Sequence, residues 1–253
     1  MRTWSRISKA LPWSKALLWP ATVLWLAIPS GCGLVANDPA DVNLSALEKQ
    51  FSIDSTAWNV NSSAVTTLIN QSCTPQADGC ASVVATLSTC KAATCTAQCN
   101  AETNRCQLSL RVELWRAVNI VSEVPDLGSG NTPTTATSLE VTLDDMTYEV
   151  FSNALSVDTP KLGIYVAPST VMVSGGDGAV RIAEIPAVPA ATELSPRSIT
   201  FMPGGKEILR RRLSDYQVPF NLLVASELIV DQDTPIPTGQ LDATLQMRGR
   251  AGF

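Results

Sequence analysis

The chain has 253 residues, of which 45% are hydrophobic and 16% are charged, a balance typical of globular proteins that argues against disorder throughout. It contains no histidine, which excludes Ser-His-Asp and Cys-His nucleophilic centres as well as histidine-ligated zinc, haem and non-haem iron sites. Four basic residues and no acid fall within the first 31 residues, so the rest of the chain has 14 basic and 23 acidic residues, and this net charge of −9 argues against nucleic-acid binding.

The N-terminal segment is basic and then apolar. Its apolar stretch, "ALLWPATVLWLAI", covers thirteen residues from Ala16 to Ile28 and contains Pro20. A membrane-spanning helix needs about 20 apolar residues, and proline removes a hydrogen bond from a helix interior. A charged region, a short apolar region and then small residues are the layout of a secretory signal peptide.

The end of this segment, "PSGC" at 29–32, resembles the lipobox of bacterial lipoproteins. The resemblance implies that Cys32 is the first residue of the mature chain and carries a thioether-linked diacylglycerol and an acylated amine. Several acyl chains on one residue anchor a protein stably, since each buried CH₂ contributes about 0.8 kcal/mol. Pro29 stands where the family usually has an aliphatic residue. A plain secreted protein or an uncleaved anchor is the alternative.

The same resemblance sets the expected organisation of the chain. It implies a lipoprotein signal peptide at 1–31. The residues that follow predict a tether at 32–41 and a folded domain at 42–253. The residue after the cysteine is Gly33 rather than an aspartate. In bacterial lipoproteins, a residue other than aspartate at this position implies sorting to the outer membrane. We therefore expect a cell-envelope protein that is held by its lipid and faces the periplasm or the cell surface.

The remaining cysteines form a dense group. Six of the seven lie within 34 residues, and they can pair if Cys32 carries lipid. Three disulfides are expected in an oxidising compartment, while a metal cluster is the alternative, although no C-x-x-C pair occurs. The spacing leaves the pairing open. We predict a disulfide-rich, partly helical insertion at 73–106, with cysteines Cys73, Cys80, Cys90, Cys95, Cys99 and Cys106.

Two of these cysteines have a spacing that indicates local structure. Cys95 and Cys99 are four residues apart. In a helical turn this spacing places both side chains on one face. We therefore expect both to bond to neighbouring segments rather than to each other.

Strict alternation of apolar and polar residues dominates the chain after the cysteines. In "QLSLRVEL" at 107–114, the leucines and valine share one face and the polar residues share the other, which is typical of a half-buried strand. Gly- and Pro-rich turn signals separate the candidates. The sequence predicts a mainly β fold, an antiparallel β-sandwich with one short helix. Strands are predicted at 50–58, 107–114, 138–143, 146–151, 161–167, 179–185, 198–201, 219–230 and 240–247.

One segment, "GGKEILRRRLSDYQV", has helical spacing of its apolar residues and is predicted to be that helix. It carries a basic group that can bind an anionic partner such as a lipid phosphate. The alternative is a solvated helix face on which Glu207 and Asp215 pair with these cations. The basic residues are Lys206, Arg210, Arg211 and Arg212.

Acidic residues supply few candidate sites. Asp177 lies among glycines in "SGGDG", a weak candidate for calcium, and a hairpin turn is the favoured interpretation. The pairs Asp144–Asp145 and Asp231–Asp233 can hold calcium or cleave glycosides, or they are solvated turn residues. We predict no cofactor and no resident metal.

The function expected from the sequence is a binding or structural role in the envelope. The partners expected are the membrane, through the lipid, and an envelope protein or a glycan. Trp115 is on the opposite strand face from the alternating leucines, so it is either covered or part of a carbohydrate- or protein-binding surface. The alternatives are a carboxylate-dependent glycan hydrolase and a component of a secretion or surface assembly. The absence of histidine and of any catalytic motif argues against an enzyme.

Overall fold

Two antiparallel β-sheets form the framework of the chain that the computed structural model describes, which comprises residues 42–44, 47–74, 79–82, 95–124 and 138–252. The predicted signal peptide and tether lie outside these residues, as do Cys32 and Cys90. Within the described ranges, no helix has the length and apolar character needed to cross a membrane.

The first sheet has five strands. Strand β11 lies between β5 on one side and both β1 and β2 on the other, and β8 pairs with the far side of β5. All of these pairs are antiparallel. The strands are β1 (Val42–Asn43), β2 (Glu48–Asp54), β5 (Glu140–Asn153), β8 (Leu194–Ser198) and β11 (Gln240–Gly252).

The second sheet has six strands in the order β3-β4-β10-β6-β7-β9, and every neighbouring pair is antiparallel. Its longest strand, β4, contains the segment 107–114, which the alternation of apolar and polar residues predicted to be a strand. The strands are β3 (Cys95–Asn100), β4 (Arg105–Val118), β6 (Leu162–Pro168), β7 (Val180–Ile185), β9 (Thr200–Phe201) and β10 (Phe220–Val230).

A single hydrophobic core joins the two sheets. Leu110 and Val112 of β4 are buried in it together with Tyr148 of β5 and Met247 of β11. Burying one such side chain contributes about 1.5–3 kcal/mol. The predicted mainly β, sandwich-like architecture of two antiparallel sheets is therefore confirmed.

The structure joins two predicted strands into one. The strand β5 runs through Asp144 and Asp145, where the sequence suggested a break between 143 and 146. The register with β11 shifts there, since Leu143 pairs with Gly249 and Asp145 with Arg248, leaving Asp144 as the extra residue of a bulge. The Asp145 carboxylate accepts hydrogen bonds from the Met146 amide and the Ser198 hydroxyl. The Asp145 carboxylate therefore has a structural place within the strand, while Asp144 is the exposed residue of the bulge.

Three α-helices with defined bounds lie within the described chain, α1 (Ser62–Ile69), α2 (Ile120–Glu123) and α3 (Gly205–Ser214), and a short 3-10 helix covers Ser55–Trp58. The helix α3 is the predicted one, and it buries Leu209 and Leu213. At its start, a Cβ on Gly205 would lie 2.0 Å from the Ile182 carbonyl oxygen. The absence of a side chain therefore lets α3 approach β7 closely. The sequence analysis missed α1, which Asn61 caps by accepting from the amides of residues 63 and 64.

Two disulfides have defined partners. They link Cys73 to Cys99 and Cys80 to Cys106, and each spans 26 residues of sequence. Cys99 and Cys106 lie opposite each other on β3 and β4, so both bonds tie the preceding segments to one hairpin. Cys95 is also disulfide-bonded.

The helical turn predicted around Cys95 and Cys99 is wrong, because both residues belong to the strand β3. Alternate residues of a strand share a face, so residues four apart do so in a strand as well as in a helix. Cys95 and Ala97 are buried, and Cys99 packs against the same core. The common face was therefore predicted for the wrong secondary structure.

Candidate functional site

A cleft of about 390 Å³ lies on the face of the six-stranded sheet that points away from the hydrophobic core. In β4, outward-pointing Arg111, Glu113 and Trp115 alternate with core residues, as the strand's period of two requires. The central strands β4, β10 and β6 supply most of the lining.

Two small residues form the floor of the cleft. Ala225 of β10 pairs with Glu113 on one side and with Gly163 of β6 on the other. A Cβ on Gly163 would lie 2.8 Å from Cε2 of Tyr165 and 3.0 Å from Nε of Arg181. The Tyr165 and Arg181 side chains therefore lie over Gly163 in the space that a larger side chain would fill, and Ala225 is the small residue beside it on β10.

The loop between β6 and β7 closes one side of the cleft. The Glu113 carboxylate accepts hydrogen bonds from Ser174 of this loop, at 2.9 Å from its amide and 2.7 Å from its hydroxyl. Buried Asn221 of β10 donates through its side-chain amide to the carbonyl oxygens of Ser169 and Val171, at 3.0 and 2.9 Å. The loop is therefore fixed to β10 and β4 at three of its residues.

The cations of the cleft differ in how they are paired. Lys161 and Arg181 both pair with Glu184, at 2.9 and 2.8 Å. The pKa of Glu184 is held below its ordinary value, chiefly because Lys161 donates a hydrogen bond to it, and the charges of both cations lower it further. Arg111 also lines the cleft, and among the described residues its guanidinium has neither an ion pair nor a hydrogen bond.

Two carboxylates line the cleft. Glu113 pairs with Ala225, and Arg111 pairs with Glu227, so the two glutamates are diagonal neighbours on adjacent strands. Diagonal positions in an antiparallel pair are about 7–8 Å apart. The Glu227 carboxylate accepts a hydrogen bond from the Ser109 hydroxyl. The arrangement offers acceptors, donors and two acidic groups to one ligand.

Exposed apolar side chains adjoin the cleft. Trp115 is 39% exposed and is the next outward residue of β4 after Glu113. Met172 and Val173, which are 46% and 49% exposed, directly precede Ser174 in the loop that Glu113 holds. Trp115 is therefore not fully covered by a loop or by the disulfide segment.

The sequence analysis did not single out these cleft residues. Signals were present, because the polar face of "QLSLRVEL" contains Arg111 and Glu113, and Glu227 interrupts the apolar strand "PFNLLVASELIV". Both patterns are common on solvated strands, so neither one indicates a site without the register that joins them.

The basic group predicted on α3 is largely paired within the protein. The Arg210 guanidinium donates twice to Glu207 at 2.7 Å, which raises the pKa of Arg210 and lowers that of Glu207. Arg211 lies 3.7 Å from the same carboxylate, and Lys206 donates to the Asp144 carbonyl oxygen at 2.9 Å. Glu207 therefore pairs with the helix cations, as the solvated-face interpretation required.

Two other charged residues of this segment lie outside the network. Within the described chain, Asp215 forms no ion pair and Arg212 is an unpaired cation.

The predicted acidic candidates lie apart from the cleft floor. Asp177 occupies the β6–β7 connection, in a turn after Gly176, and no group of three potential metal ligands in the described residues includes it. Asp231 accepts from the amides of Asp233 and Thr234 at 3.0 and 2.8 Å. This pair therefore has a structural place in a turn.

The sulfur atoms of Cys73, Cys80 and Cys106 lie within 4.8 Å of one another. This proximity alone would be compatible with a metal. All three sulfurs are in disulfides, however, and thiolates are the metal-binding form of cysteine. The cysteines with described positions therefore act as crosslinks in this structure.

Comparison with known proteins finds no match for this chain among family models, curated proteins or solved structures. The chemistry of the cleft is therefore argued from its own residues.

Proposed function

We propose that this protein is a lipid-anchored binding protein of the bacterial cell envelope and that the cleft on the six-stranded sheet binds a glycan. One observation carries the proposal: a depression floored by Gly163 and Ala225 is bordered by carboxylates, guanidinium groups and an aromatic ring. Sugar hydroxyls both donate and accept hydrogen bonds, so they match a lining that contains both kinds of group.

The size and the border of the cleft support this ligand class. A volume of about 390 Å³ lies within the range of roughly 300–1,000 Å³ that is usual for small-molecule sites. Tyr165 at the cleft and Trp115 beside it supply flat apolar surfaces with polar edges. A sugar ring has an apolar face as well as hydroxyls, and it can use both types of contact.

The proposed location depends on the lipobox-like "PSGC" and on the count of cysteines. The intact mass of protein extracted from membranes tests it. We expect a chain that begins at Cys32 and carries the mass of its acyl groups. An unmodified chain with another N-terminus would refute the proposed lipid anchor. The binding test below is independent of this result.

The binding proposal is tested by filling the cleft. The variant Ala225→Leu places a larger side chain on the floor, on the face away from the core. Binding to an array of neutral and carboxylate-bearing bacterial oligosaccharides should be seen for the natural protein and lost in the variant. The control, Glu207→Gln on α3, changes an exposed charge that does not line the cleft and should leave binding unchanged. A natural protein that binds no oligosaccharide would refute the proposal.

A second candidate, glycan hydrolysis, is favoured by one specific observation, the diagonal placement of Glu113 and Glu227. Inverting glycosidases hold two carboxyl groups about 6.5–9.5 Å apart. One carboxyl group gives its proton to the departing glycosidic oxygen, and the other carboxylate takes a proton from the water that attacks the anomeric carbon. The test is an assay for the release of reducing ends from oligosaccharides. Release by the natural protein that is lost in Glu113→Gln and in Glu227→Gln would establish hydrolysis. Binding without any release would support the binding function alone.

A further inference from the structure

Arg111 differs from every other charged side chain that lines the cleft. Among the described residues, Lys161 and Arg181 pair with Glu184, Glu113 accepts from Ser174, and Glu227 accepts from Ser109. The Arg111 guanidinium makes no such contact there, although Glu227 is its cross-strand neighbour. One cation therefore faces the cleft with its donors unused.

Arg111 also lies between two cavities. A second cavity of about 160 Å³ is lined by Arg111 and Glu113 together with Ile53, Ala57 and Trp58. The two cavities share Arg111 and Glu113. The second cavity is also lined by Val112 and Leu114, whose side chains lie on the core face of β4, so the two cavities adjoin at Arg111 and Glu113.

The backbone at Arg111 is fixed independently of its side chain. The indole Nε1 of Trp58 donates a hydrogen bond to the Arg111 carbonyl oxygen at 3.1 Å, and the Trp58 ring is buried. The residue is thus held in place between the cavities while its guanidinium remains available. A planar guanidinium binds a carboxylate through two parallel hydrogen bonds.

From these observations we infer that the ligand is an oligosaccharide that carries a carboxylate, and that Arg111 binds that carboxylate. The inference rests on the proposed glycan-binding function and names its ligand class. An acid on the ligand supplies the negative charge that no described residue gives to Arg111. The hydroxyls of the neighbouring sugar then face Glu113 and Glu227.

The test uses the full-length protein and pairs of oligosaccharides that differ in one group. Each uronic-acid oligosaccharide is compared with its carboxyl-reduced form by titration calorimetry. We expect at least one acidic oligosaccharide to bind, and its affinity to fall tenfold or more on reduction of the carboxylate, about the value of a hydrogen bond to a charged group. The variant Arg111→Gln should lose the same factor for the acid and keep the affinity for the reduced form within about twofold.

Control variants separate a specific site from general charge. Arg111→Lys keeps the charge but loses the paired donors, so it should recover only part of the affinity. Arg197→Gln removes an exposed cation on β8 of the other sheet and should change nothing. Equal binding of acidic and reduced forms, or loss of both in Arg111→Gln, overturns the inference while glycan binding stands. Binding of acidic peptides but of no oligosaccharide overturns the inference and the proposed function together.

Discussion

Glu113 of β4 accepts two hydrogen bonds from Ser174, one from its amide and one from its hydroxyl, across 61 residues of sequence. This contact ties the β6–β7 loop to the sheet at a cleft lined by Glu113 and Arg111, and the exposed Trp115 of the same strand lies beside that cleft. A carboxylate on a strand surface is usually solvated. Here it determines where a loop lies, and the loop in turn forms a wall of the cleft.

The first prediction concerns this contact. Ser174→Ala removes the hydroxyl donor and keeps the amide donor, so the loop should be held less firmly. We expect a loss of about 0.5–1.5 kcal/mol in stability and faster amide hydrogen exchange at 169–179. Exchange measured by mass spectrometry checks this. Ser195→Ala, on an exposed part of β8, is the control and should leave exchange in the loop unchanged.

The disulfides give a second prediction. Because both described bonds span 26 residues, loop-closure entropy predicts similar losses of about 2–4 kcal/mol when either pair is replaced by alanine. Cys80 and Cys106 are buried, at 0% and 1% exposure, whereas Cys73 and Cys99 are only partly buried. Removing the buried pair should therefore cost more, as urea unfolding of the two double variants can show.

The pairing itself can be checked without substitutions. Peptide mapping of non-reduced protein should recover the linkages Cys73–Cys99 and Cys80–Cys106. Thiol labelling of the unfolded, non-reduced protein should leave both pairs unmodified. Recovery of Cys73 with Cys106 would contradict the structure.

The third prediction concerns the contact between α3 and β7. Gly205→Ala brings a Cβ against the Ile182 carbonyl oxygen, where the distance without movement is 2.0 Å. Backbone has to shift, so we expect a loss of about 1–3 kcal/mol or more. Gly175→Ala is the matched control, since a Cβ there meets no atom within 4 Å. Thermal unfolding of the two variants should differ clearly.

The fourth prediction is a pH dependence. The pKa of Glu184 lies below its ordinary value because Lys161 and Arg181 stabilise the carboxylate. Its contribution to stability should be fully present above the unfolded pKa of about 4.5 and should disappear as the pH falls through the lower folded pKa. As the pH is lowered through this range, the difference in Tm between the natural protein and Glu184→Gln should therefore shrink. Glu193→Gln, which removes an exposed carboxylate without an ion pair in the described chain, is the comparison variant.

The fifth prediction concerns Trp115. Its side chain is 39% exposed, so Trp115→Ala should change stability little. If the glycan extends along β4, the affinity should fall by roughly tenfold, because exposed aromatic residues often dominate binding. Calorimetric titration with the tightest-binding oligosaccharide from the array measures this. The variant Met172→Ala, which removes another exposed apolar side chain, shows whether the loop tip contributes as well.

Most of the strands could be predicted from the sequence because their signal is local. The alternation of leucine and valine in β4 depends only on one face being buried and the other solvated. The helix α3 likewise follows from helical spacing within its own residues. The incorrect predictions also have physical causes. The strand β5 continues through two acidic residues with a bulge at Asp144, and the Asp145 carboxylate is satisfied there by hydrogen bonds from Met146 and Ser198. No local pattern contains those partners.

The candidate site could not be predicted in the same way. Glu113 and Glu227 are 114 positions apart in the sequence, and they become neighbours only through the register of β4 with β10. A shift of one residue would turn Glu227 to the other face. The small residues Gly163 and Ala225 indicate a cleft only when the pairing of β6 with β10 places them side by side.

The sequence by itself determined which residues lie on each face of strands with strict alternation, such as β4. It also determined which histidine-dependent chemistries are excluded and which cysteines were available for crosslinks. These properties are local or compositional, and they depend on no contact between distant segments. Tertiary structure alone decided the cysteine partners, the bulge and the cleft. Each of these depends on which strands pair and in which register, and that choice is made by the burial of a common core and the hydrogen bonding of whole strands.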